Sequence, residues 1–205
     1  MEIPDWIQLG ICIAAVVGIF MTWYSVRSQN KQSLFEIRSK NYTTLSRLME
    51  RYSNFADLLA VSMKTDESYK NTIRGNSREL LLRAIGFELN RNNDSVWGHD
   101  ANERLLRITQ ILIGKIENTI TELSLLYNEE LVEDPITFLE NYRNLIMNLF
   151  DYELNVANLG RRKEATINLL GNYASFHNSE KGLKESYKKI VANETLTKMK
   201  RVTKI

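Results

Sequence analysis

DANERLLRITQILIGKIENTITELSLLY, residues Asp100 to Tyr127, carries the fold in its spacing. Leu105, Ile108, Leu112, Ile116, Ile120, Leu123 and Tyr127 advance by steps of three and four, which gathers them on one face of an α-helix. Asp100 followed by Glu103 has capping-box spacing, so the predicted helix starts there. Such a stripe has to be buried against other elements, and the flanking sequence supplies them.

Downstream, Asp134-Pro135 reads as a second helix start, with the acid at the cap and proline in the first turn. Ile136, Leu139, Tyr142, Leu145, Leu149 and Tyr152 continue it towards Gly160, and shorter helices are expected around 162–177 and 179–202. Upstream, Leu80, Leu81, Ala84, Ile85 and Leu89 predict a helix after the polar patch Thr65–Asn76. Before that patch, Leu45, Leu48, Tyr52, Phe55 and Leu59 form a coiled-coil-like seam on a helix from about Gln32 to Lys64. Two prolines and nine glycines in 205 residues leave little turn chemistry for an all-β fold. Short polar turns and the absence of any fixed repeat predict an antiparallel bundle of four to five helices.

The amino terminus reads differently. All 21 residues between Asp5 and Arg27 are uncharged, and as a helix they reach roughly 31 Å, about one hydrocarbon thickness. Trp6 at one end and Trp23 and Tyr24 at the other fit the two water interfaces, with Arg27 as the first basic anchor. Glu2 and Asp5 replace the basic start of a cleaved signal, so the segment reads as a retained anchor. The expected layout is therefore a tail at 1–5, a transmembrane helix at 6–26 and an all-α domain at 27–205. Arg27, Lys31, Arg38 and Lys40 after the span, against Glu2 and Asp5 before it, predict an outside amino terminus and a cytoplasmic domain at a bacterial inner membrane. The opposite topology would expose the sequons at Asn41 and Asn193 to glycosylation. Gly10, Ala14, Gly18 and Thr22 fall at every fourth position, a stripe along which a second helix can approach closely.

Charge is unevenly distributed. Residues 27–64 carry a net +4, residues 65–160 a net −7 and residues 161–205 a net +7, ending in Lys198, Lys200, Arg201 and Lys204. On a tethered chain the nearest dense anion is the inner leaflet, so this tail is expected on anionic lipid, with the acidic middle turned away and no nucleic acid involved.

No catalytic, cofactor or metal motif accompanies these features. His99 and Glu103 have i, i+4 spacing beside Asp94 and Asp100, but a helix cap accounts for Asp100 and Glu103. His177 falls near an expected helix end, where it can serve terminal carbonyls. The single cysteine, Cys12, permits no intramolecular disulfide. The expected function is a scaffold, sensor or regulatory subunit that binds another protein or itself. The alternatives are a toxin-like or phage-defence effector whose span oligomerises and, third, a membrane-tethered enzyme.

Overall fold

The computed structural model describes residues 5–61, 78–86, 99–157 and 178–203, with side chains at 15–56, 78–86, 103–153 and 178–203. They form α1 (Asp5–Val61), α2 (residues 78–85), α3 (His99–Leu126), α4 (Glu129–Ala157), α5 (residues 178–192) and α6 (Thr195–Thr203). Among the described residues there is no strand. The all-helical bundle therefore stands. No helix among the described residues is long and apolar enough to cross a membrane, so the expected amino-terminal transmembrane helix has no support from them. Only the second half of that segment, from Ala15 onward, has described side chains.

Pairings between helices fix the directions. Arg38 meets the end of α3 at Leu126 while Lys40 pairs with Glu122, so α3 runs opposite to α1. The α3–α4 connection is only Tyr127 and Asn128, which turns α4 back parallel to α1. Asn148 meets Ser179 near the start of α5, and Asp134 meets Asn193 at its end, so α5 descends against α4. Arg78 pairs with Glu153 and Tyr142 reaches Ala84, which makes α2 descend as well. Thus α2 and α3 point the same way, a departure from strict alternation. At the lower end α3 packs between α1 and α4, and α6 packs against both.

The predicted seams form the core. Leu45, Leu48, Tyr52 and Phe55 of α1, Leu105, Leu112, Ile116 and Leu123 of α3, and Leu139, Tyr142, Leu145 and Leu149 of α4 are all buried. Leu59 and Leu89 lie outside the residues with described side chains. At the centre the rings of Tyr52, Phe55, Phe138, Tyr142 and Tyr187 meet at centroid distances of 5.1 to 6.4 Å, several edge-on. Such pairs add about 0.5–1.5 kcal/mol each beyond the area they bury. Burial raises the pKa of the Tyr52 and Tyr142 phenols, with Glu180 and Tyr187 adding to the shift at Tyr52 and Arg51 opposing it at Tyr142. Tyr142 donates its proton to the Ala84 carbonyl at 2.7 Å.

Three boundaries differ from expectation. The segment at 6–26 and the helix expected from Gln32 are one unbroken helix of 57 residues, because nothing between Arg27 and Lys31 stops a helix. Helix α4 begins at Glu129, with Pro135 inside it, instead of at Asp134. Asp134 accepts a hydrogen bond from Asn193 at 3.2 Å and faces Lys189 at 3.9 Å, so it ties α4 to the α5–α6 turn. The helix expected over 179–202 breaks at Asn193 and Glu194, where Glu194 takes a φ of 50°. That break lets α6 bury Thr195, Met199 and Thr203.

Candidate functional site

Between Ala15 and Glu36 helix α1 leaves the bundle, and every residue is exposed. Its first part presents Val16, Val17, Ile19, Phe20, Met21, Trp23, Tyr24 and Val26 over about 220° of its circumference, the remaining face being Ala15, Gly18, Thr22 and Ser25. So broad an exposed apolar surface is the kind that marks contact with another apolar body. Arg27 lies over the Trp23 ring at 5.2 Å, which covers part of one expected interfacial anchor with the other. Of the small-residue stripe, Thr22 Oγ1 donates to the Gly18 carbonyl at 2.8 Å, and a Cβ at Gly18 would meet nothing. Trp6, Gly10 and Ala14 lie on α1 before its described side chains begin at Ala15.

From Arg27 to Glu36 the same helix is an exposed stalk, about 15 Å long. It enters the bundle at Arg38. The Arg38 guanidinium donates to the Leu126 carbonyl at 3.2 Å and to the Val202 carbonyl at 3.4 Å, at the ends of α3 and α6. A cation there neutralises the negative ends of two helices at once. The Tyr127 ring lies 5.5 Å from the guanidinium, and its hydroxyl stands 3.4 Å from Thr203 Oγ1. The tyrosine hydroxyl also donates to the Arg38 carbonyl at 3.5 Å. These contacts fix the lower ends of α3 and α6 against α1.

The expected basic tail is a docked helix. Lys198, Lys200 and Arg201 are exposed on α6, while Lys204 lies outside the described residues. Because Val202 sits level with Arg38, these cations stand about 17 Å or more above Arg27 along α1. That exceeds the screening length of about 8 Å at physiological salt, so contact with a membrane at Arg27 would require α1 to lean. The acidic middle is not turned away from this end. Glu129, Glu130 and Glu133, exposed at the start of α4, are level with the α6 cations because α4 starts where α3 ends. Sequence segments hid this, since residues 65–160 average the acidic turn with distant parts of the chain.

Asn41 is buried completely in α1, and neither atom of its amide has a partner among the described residues. The sequon at Asn41 is therefore closed to a glycan in the folded bundle. The Asn193 amide is engaged with Asp134.

Beside α4 and α5 lies a groove of about 350 Å³ lined by Asn144, Met147, Asn148, Asp151, Asn178 and Ser179. Asn148 donates to Ser179 Oγ at 3.3 Å, and partial loss of water raises the Asp151 carboxyl pKa. Among the described residues its lining holds one hydroxyl, Ser179, and one carboxyl, Asp151, with no histidine, lysine or cysteine. Among the described residues no three acids, histidines or cysteines converge as a metal site. Asp94, His177 and the side chains of His99, Asp100 and Cys12 lie outside them, while Glu103 is exposed on α3. No protein-family model, curated protein or solved structure matches this chain.

Proposed function

We propose that the chain is a single-pass membrane protein whose helical domain binds other proteins, or further copies of itself, at the cytoplasmic face of a bacterial inner membrane. The supporting observation is the exposed apolar rod from Ala15 to Val26, which continues without a break into the core helix of the bundle. An uncharged rod with large apolar side chains over most of its surface gains most where hydrocarbon surrounds it. The uncharged sequence extends this rod back to Trp6, to roughly 31 Å, and the basic residues from Arg27 onward favour a cytoplasmic domain. In this reading the small-residue stripe is available to a second span, and the domain supplies the interaction surfaces.

Two fusions at Ile205 test the reading. Green fluorescent protein should be bright and alkaline phosphatase inactive, with the chain retained in carbonate-washed membranes. Recovery in the soluble fraction would remove the anchor, and active phosphatase would reverse the orientation.

A further inference from the structure

We propose that the basic face of α6 docks on the acidic start of α4 in a neighbouring copy of the same chain. The reading rests on the membrane-anchored function above, which sets all copies upright in one plane. Arg201, with Lys198 and Lys200 to either side of it, makes the exposed half of α6 the donor surface, and Glu129, Glu130 and Glu133, within about 100° of one another, form the acceptor face. All six are exposed, and none forms an ion pair or hydrogen bond through its side chain among the described residues.

The geometry supplies the partner. Arg38 binds Leu126 and Val202 together, so the end of α3 and the end of α6 share one level. Helix α4 rises from that level and α6 descends to it, which puts both charged faces within about two helical turns of the same height. Copies related by rotation about the membrane normal keep that height, so one copy's cations can reach its neighbour's carboxylates without tilting either stalk. Lipid does not fit as well, because the same end carries three carboxylates and stands off by the length of the stalk. The helix dipoles already favour Glu129 and Glu130 in the first turn of α4 and Lys200 and Arg201 in the last turn of α6. Glu133 and Lys198 lie beyond those turns and extend the faces. Two different faces meeting give a heterologous contact, which propagates as a closed ring or an open row.

The test uses two differently tagged full-length chains coexpressed in one membrane, both with Cys12→Ala. One carries Glu130→Cys and the other Lys200→Cys, and a short bis-maleimide is added. The mixed 130–200 product is expected, and the 130–130 and 200–200 products are not; absence of the mixed product, or equal yields of all three, overturns the proposal. In chains without added cysteines, Lys198→Glu/Lys200→Glu/Arg201→Glu should reduce co-purification about tenfold, and so should Glu129→Lys/Glu130→Lys/Glu133→Lys. Combining both sets in every copy should restore it. If only the basic set weakens association, the cations serve anionic lipid or another protein and the proposal fails. Circular dichroism of each variant checks that the helices remain. Carbonate washing separates the two readings: a chain retained in the membrane without the mixed product sinks the docking alone, whereas a chain lost from the membrane sinks the anchor.

Discussion

Arg38 joins three helices through one side chain. Arg51, by contrast, reaches a single carbonyl, at Ile85, and the described α6 cations are exposed. Hydrogen bonds from a charged group contribute about 1.5–3 kcal/mol, so Arg38→Met should lower stability by about 2 kcal/mol. Arg38→Lys should recover less than half of that, because an ammonium on a flexible stem does not fork between two carbonyls. The urea midpoint of the full chain in mild detergent measures both, and an unchanged midpoint for Arg38→Met would deny the clasp its role. None of this was legible in advance. In the sequence Arg38 is one of four basic residues that follow the uncharged segment, and only the fold brings the ends of α3 and α6 beside it.

At the scale of the element, α2 illustrates how a short helix is held. Its Gly86 lies at φ 70° and returns its N–H to the Arg83 carbonyl, while Arg51 and Tyr142 take the Ile85 and Ala84 carbonyls. Three terminal carbonyls are thereby satisfied, one by backbone and two by neighbouring helices. A methyl at Gly86 would be strained in the left-handed region and would press into the Arg51 guanidinium. Gly86→Ala should therefore cost about 2 kcal/mol, seen as a lower urea midpoint of the full chain, and an equal midpoint would remove the cap's importance. The helical seams were legible because burial imposes their period. The ends were less so: Asp134 resembles a cap, yet its carboxylate serves Asn193 and Lys189, and Asn128 precedes the actual start of α4. The break at Glu194 had no strong local signal, because docking of α6 on α1 outweighs the preference of glutamate for right-handed backbone.

For the whole molecule, the aromatic centre makes stability depend on alkaline pH. Above about pH 10 the phenols of an unfolded chain ionise, whereas burial keeps those of Tyr52 and Tyr142 protonated. The folded state then holds more protons, so stability present below pH 10 is lost as pH rises, by about 1.4 kcal/mol per pH unit for each phenol. The midpoint of urea unfolding should fall between pH 9 and pH 11, and less steeply in Tyr142→Phe. Phenolate absorbance should appear together with loss of helical circular dichroism; absorbance from these two residues in the folded chain would contradict their burial.

Composition and periodicity made the all-α class and the three long core seams readable, and uneven charge drew attention to residues 198–201. They did not reveal that the acidic turn shares a level with those cations, which depends on the descent of α6 past the break at Glu194 to the level where α4 starts. The unbroken run of α1 has a further consequence for how height and bearing are set. One residue added between Arg27 and Glu36 would raise the bundle by about 1.5 Å and swing it by about 100° about the rod. Seven added residues would raise it by about 10 Å yet restore its bearing to within about 20°. The stalk is thus both a ruler and a dial: its length alone decides which flank of the bundle lies over which face of the apolar rod, the one that carries Gly18 and Thr22 included.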